Sequence, residues 1–264
     1  VSAPFLLASS VGALCALFAL AFALARRIDN YGIVDIAWSY AFGALALAYG
    51  LLGGGWGGRR ALTAAMVAAW SLRLGTHLLL RVSRRHPEED GRYRQLRREW
   101  GPRLAPRMAW FFQAQAVSVG VLGIPFLAAC ENPRPGLGPL EVAGLVLWAV
   151  AIGGEALADA QLSAFAARPE NLGRVCEAGL WRYSRHPNYF FEWLVWVSYF
   201  LFGCGSPWGW AGVLSPACIL FLLLRVTGIP ATEEQSLRSR GDAYRRYQAT
   251  TSPFIPLPRR KALP

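Results

Sequence analysis

Apolar residues in this chain gather into long runs, and these are separated by short stretches that are either charged or glycine-rich. Runs of roughly 20 such residues are what a helix needs to cross a hydrocarbon core of ~30 Å. The pattern predicts about seven spans, near 4–25, 31–54, 61–81, 108–130, 140–163, 187–205 and 209–227, followed by a charged tail over 228–264. The third and fifth runs are less uniform than the others, because polar residues such as Arg73, His77, Glu155 and Asp159 interrupt them. No internal repeat and no long linker divides the chain, so the expectation is one all-α membrane domain over 1–264, a seven-helix bundle.

Composition agrees with the pattern: 54% of residues are hydrophobic and only 16% charged, which excludes an ordinary soluble domain. A net charge of +11 would suit a nucleic-acid binder, but the basic residues follow topology and form no single patch, so no nucleic-acid partner is expected. Arg26 and Arg27, the loop from Arg81 to Arg107, the loop with Arg168, Arg174, Arg182 and Arg185, and the tail from Arg238 to Lys261 all fall on one face. The other face has Arg59, Arg60 and Arg134. The positive-inside rule then puts the N-terminus outside and the C-terminus in the cytoplasm, in a bacterial inner membrane. The first run lacks a basic leader and is long enough to cross, so it is expected to be retained as a span. Cys15, Cys130, Cys176, Cys204 and Cys218 are scattered without CxxC spacing, which predicts neither a disulfide framework nor a metal site.

Ionisable residues in apolar runs are costly, so each marks a candidate site. Asp35, Arg73, His77, Glu155 and Asp159 qualify, and so does the group His186, Asn188 and Glu192 in GLWRYSRHPNYFFEWLVW, residues 179–196. Interfacial anchoring explains Trp181, Arg182 and Tyr183, but an anchor needs neither the amide of Asn188 nor the carboxylate of Glu192. Pro187 suits the first position of a helix, so that free N–H groups would face the cytoplasmic loop together with Arg185 and His186 and make an anion site. The upstream AARPENLGRV adds Arg168, Asn171 and Arg174. The loop RRHPEEDGRYRQLRREWGPR reads either as a partly helical stretch beside lipid head groups or as a lid over a phosphate. GGGWGG follows no strand and reads as a short turn on the outer face.

DAQLSAFAARPENLGRVCEAGLWRYSRHPNYFFEW, RVTGIPATEE and YRRYQATTSPFIPLP together resemble the membrane steroid 5α-reductase family, specifically its bacterial branch of uncharacterised-domain proteins. The likeness extends from about Asp35 to Pro258 and is strongest between Asp159 and Trp193. It implies an NADPH site built from Asp159, Arg168, Asn171, Arg174, Tyr183, Arg185, His186, Asn188, Tyr189, Glu192, Arg225, Glu234, Tyr244 and Tyr247. In it Asn188 and Glu192 would hold the nicotinamide carboxamide, and arginines would select the 2′-phosphate. Isoprenylcysteine carboxyl methyltransferases, which use S-adenosylmethionine, share an Arg-His-Pro-x-Tyr segment and a paired-glutamate segment like Glu233-Glu234, and they form the alternative.

The reductase resemblance implies hydride transfer to the Δ4 double bond of a 3-oxo steroid or steroid-like enone while an acid polarises the ketone. Asp35 matches the family's early-span glutamate, and Trp70 stands where the family has a tyrosine. Either a protonated Asp35 would then act as the hydrogen-bond donor, or the tyrosine's task would pass to Tyr31, Tyr40 or His77, with Trp38 walling the substrate. A structural ion pair between Asp35 and Arg73 is the competing reading of that acid. Membrane lipids and a small enone are the expected partners, and no protein partner is predicted.

Overall fold

A computed structural model describes residues 2–226 and 228–260. The described residues are helical and contain no strand, apart from one isolated parallel bridge between Ser184 and Ser252. Helices α1 (Ala3–Arg27), α2 (Ile33–Leu52), α3 (Gly57–Arg85), α4 (Gly91–Trp100), α5 (Leu104–Leu122) and α6 (Ile124–Cys130) come first. Helices α7 (Pro139–Ala166), α8 (Pro187–Cys204), α9 (Leu214–Phe221) and α10 (Ile229–Thr250) follow. The chain forms two compact units, one of residues 1–138 with 203–212 and the other of 139–202 with 213–264.

Among the described residues five helical runs are long and apolar enough to cross a membrane: Ala3–Arg27, Ile33–Leu52, Gly91–Cys130, Pro139–Ala166 and Gly209–Thr250. This is a multi-pass integral membrane protein. The charges of α4 and α10 leave the apolar parts of the two longest runs at about 104–130 and 209–226. Helices α3 and α8, which cover the expected third and sixth spans, are not among the five. Arginines punctuate α3, and Asn188, Glu192, Tyr and Trp residues lower the apolarity of α8. The expected fourth run breaks at Gly123, two residues before Pro125, and the expected seventh is a 3-10 turn at Gly209–Val213, then α9, then a π-helical turn at Leu222–Val226.

In the first unit α2 and α3 are packed closely. Gly43 allows this approach: its N–H donates to Ser71 Oγ at 3.2 Å, and a Cβ there would lie 2.7 Å from that oxygen. Ser71 in turn donates to the Ser39 carbonyl at 2.7 Å. Trp38, Phe42, Trp70 and Phe126 make an aromatic core around this seam, with Trp38 and Phe42 rings 4.7 Å apart. The GGGWGG segment forms the turn from α2 into α3, and Arg59 just after it is buried, donating to the carbonyls of Asn132, Arg134 and Gly136. In the second unit α7 lies against α8 where Gly144 meets the backbone of Ser198 and Phe202, and Trp148 donates to Tyr199 at 3.3 Å.

Candidate functional site

The site of the second unit is built on the segment between α7 and α8. Gly179–Arg182 is a 3-10 turn whose Trp181 Nε1 donates to the Ala158 carbonyl at 2.9 Å, and Gln161 Oε1 accepts from Leu180 N at 2.8 Å. The following Tyr183–His186 stretch is held by the residues after α10. Arg185 N donates to Ser252 O at 2.8 Å, Leu257 N to Tyr183 O at 3.0 Å, and Ser184 Oγ to Phe254 O at 2.8 Å. Tyr247 OH closes the clamp on the Trp181 and Ser184 carbonyls.

Arg185 is 9% exposed and serves as a tie: Nε meets Glu233 at 2.6 Å, and Nη1 donates to the carbonyls of Gln248 (3.0 Å) and Thr251 (2.6 Å). His186 Nε2 lies 3.3 Å from the same Glu233 oxygen, and its ring stacks on Tyr189 at 5.3 Å. Burial pushes the Glu233 carboxyl upward. Hydrogen bonds from His186, Arg185 and Gln248 and the Arg185 charge outweigh it and hold the group at about 2. Burial, then the Glu233 charge, pushes the Tyr244 hydroxyl up to about 12, and burial raises Tyr247 and the Cys176 thiol. These groups are therefore neutral donors at physiological pH, and Cys176 is no thiolate nucleophile.

The clamp borders a cavity of about 350 Å³. It is lined by Arg185, His186, Asn188 and Tyr189, by Cys176 and Trp181, and by Thr232, Gln235, Ser236, Ser239 and Arg240 of α10. Gly241, at φ 52° and ψ −126°, breaks α10 and starts the turn on which Tyr244 and Tyr247 also reach the cavity. Asn188 Nδ2 donates to Asp159 at 3.2 Å and Oδ1 accepts from Tyr189 N at 3.0 Å. One amide N–H and one lone pair remain for a ligand. Arg240 has no carboxylate partner among the described residues; its Nε donates to the Arg174 carbonyl at 3.0 Å.

The first unit has its own polar cluster. Tyr93 of α4 is 1% exposed, and its hydroxyl donates to Asp35 Oδ1 at 2.8 Å. Asp90 caps α4 through Arg92 N (3.1 Å) and pairs with Arg81. Glu89 is buried, accepting from Tyr31 N at 2.6 Å and Arg97 Nε at 2.5 Å, and the Arg97 guanidinium sits 4.7 Å over the Tyr31 ring.

Residues 21–251 match the family model described as protein of unknown function, DUF1295. The chain belongs to the DUF1295 family. This is a family of membrane proteins related to steroid 5α-reductase. No curated protein and no solved structure matches the chain.

Against that DUF1295 frame, the residues expected to hold a cofactor divide. Arg185, His186, Asn188, Tyr189, Tyr244 and Tyr247 converge on the cavity, with Asp159 one hydrogen bond behind Asn188. Glu192 is not among the lining residues and accepts from Trp196 Nε1 at 2.9 Å, so the Asn188/Glu192 pair is not presented together there. Arg168 and Arg174 are exposed and also outside the lining, Asn171 donates to the Phe165 carbonyl at 2.9 Å, and Tyr183 offers its carbonyl to the tail. Arg225 is exposed on the π turn, and Glu234 is exposed and paired with Arg238. From α10 the expected Tyr244 and Tyr247 are joined by Thr232, Gln235, Ser236, Ser239 and Arg240, which were not singled out one by one although they recur at i, i+3, i+4, i+7 and i+8, a legible polar stripe.

In the first unit the hydrogen-bond partner of Asp35 is Tyr93, and the ion pair with Arg73, the competing reading of that acid, is not formed. His77 is exposed, Tyr40 bonds Thr76 at 3.0 Å, and Tyr31 packs under Arg97. Trp38 belongs to the aromatic core and donates to Ser118 at 3.0 Å, and Arg73 is half-buried in α3. Within the charged loop Glu89 and Tyr93 are buried, so it is not wholly solvated, while Arg84, Arg85, Arg94 and Arg98 are exposed.

Proposed function

We propose that this DUF1295 protein is a membrane-embedded, NADPH-dependent reductase that adds hydride to the Δ4 double bond of a 3-oxo-Δ4 steroid or steroid-like enone, giving the 5α product. One observation carries the reading. The cavity of about 350 Å³ collects His186, Asn188, Tyr189, Tyr244 and Tyr247, residues matched from the reductases, in a chain whose family is related to steroid 5α-reductase. Its size is within the ~300–1,000 Å³ of small-molecule sites.

The lining suits a nicotinamide dinucleotide. Asn188 keeps a donor and an acceptor for a carboxamide, and the stacked His186 and Tyr189 rings offer an aromatic face. The Arg185 charge is balanced by Glu233, so a phosphate would be drawn by Arg240 with the hydroxyls of Ser236 and Ser239. NADPH, when bound, supplies the hydride. Asp35 with Tyr93 is assigned the acid's work at the ketone: Tyr93 supports one carboxyl oxygen, and a protonated Asp35 would donate from the other. The hydroxyl missing at Trp70 is thereby replaced from α4. The cofactor side is read as cytoplasmic, in a seven-span bundle with the N-terminus outside.

Purified protein should bind NADPH and oxidise it in the presence of a Δ4-3-oxo steroid, and Asn188→Ala should remove binding while the protein still elutes as a folded species. Binding of S-adenosylmethionine without NADPH would replace this reading with a methyltransferase.

A further inference from the structure

Helix α4 has a buried side and an exposed one. Tyr93 is buried on one, while Arg94 and Arg98, one helical turn apart, are exposed on the other. With Gly91 and Arg97 they line a surface concavity of about 510 Å³. The Arg97 charge is answered by Glu89 and Asp29, but neither Arg94 nor Arg98 has a carboxylate partner among the described residues. Two uncompensated guanidiniums facing one hollow form an anion receptor, since each fork can take two phosphate oxygens.

The hollow's position identifies the anion's carrier. Helix α4 ends on Trp100, under the Arg107 guanidinium at 5.8 Å, and is followed by α5, whose Trp110 is 78% exposed. Trp beside Arg at the start of an apolar helix marks the level of lipid head groups. We infer that Arg94 and Arg98 bind the phosphate of an anionic phospholipid. This inference is independent of the reductase reading. It has one consequence for the unit: a lipid held there would tether the helix whose Tyr93 bonds Asp35.

The test uses the full chain in a neutral detergent, titrated with phosphatidylglycerol, phosphatidylcholine of the same acyl chains, or inorganic phosphate, and read by native mass spectrometry. Phosphatidylglycerol should bind preferentially, and Arg94→Ala/Arg98→Ala should weaken it roughly 30-fold, at ~1 kcal/mol for each arginine near a lipid surface. Arg84→Ala/Arg85→Ala, which removes equal charge from the end of α3, should leave most of the affinity. Equal binding of the two lipids, equal loss in both double variants, or competition by inorganic phosphate at the lipid's own concentration would each overturn the proposal. Should the alanine pair aggregate, Arg94→Gln/Arg98→Gln, which keeps the side-chain stems, decides by the same readout.

Discussion

Arg185 acts as a clamp more than as a ligand charge: one guanidinium ties Glu233 of α10 to the carbonyls of Gln248 and Thr251. Removing its partner leaves a buried cation, so Glu233→Gln should destabilise the protein by about 2–3 kcal/mol at neutral pH, measured by thermal unfolding in detergent. The pH dependence follows from the sign of the shift. Glu233 is held at about 2 against its ordinary 4.5, so its stabilisation is complete above 4.5 and is lost as pH falls from 4.5 toward 2. The stability gap between wild type and Glu233→Gln should narrow across that window and be constant above it. Tyr93 makes a second prediction at this scale. Tyr93→Phe deletes the hydroxyl on Asp35 but keeps the buried ring, so NADPH should still bind while single-turnover oxidation with a Δ4-3-oxo steroid slows by about 10²-fold. Unchanged turnover would remove the pair from the chemistry.

Among elements, the extended stretch after α10 has more structural weight than its irregular form suggests. Its backbone carries the bonds from Ser252, Phe254 and Leu257 to Tyr183, Ser184 and Arg185, and the Phe254 ring packs on Phe190 and Trp193 of α8. A chain ending after Thr250 loses these contacts together. It should still insert into the membrane, because the apolar helices are intact, yet NADPH binding should disappear, as checked by equilibrium dialysis of the solubilised protein. Helix α10 shows the same dependence of the cavity on local backbone. The Gly241 conformation, with φ at 52°, lets one helix present Ser236 and Ser239 before the break and Tyr244 and Tyr247 after it.

At the scale of the molecule, topology is the next testable quantity. The excess of arginine in the loops after α1, α3 and α7 and in the tail predicts that these lie in the cytoplasm, and a reporter fused after Arg260 should be active only there. Helix α3 enters this count only if its arginines are accommodated, and Arg59 shows one way: it is buried against the segment between α6 and α7 and donates to three backbone carbonyls there. Hydropathy runs determined by themselves that the chain is helical and crosses the membrane more than once, because an unpaired backbone is intolerable in lipid and helices satisfy it locally. The same local logic marked the start of α8 at Pro187 and the cluster from Arg185 to Tyr189. Which of those side chains face one cavity was decided only by tertiary structure. Arg185 looks from sequence like a phosphate ligand and becomes an ion-paired tie because Glu233, far along the chain, folds against it. Asp35 reads from sequence as a candidate acid with Arg73 as its alternative partner, and the hydroxyl it receives comes from Tyr93, 58 positions away. Spacing along a helix reports neighbours three or four residues apart, whereas pairing across such distances depends on how separate helices dock.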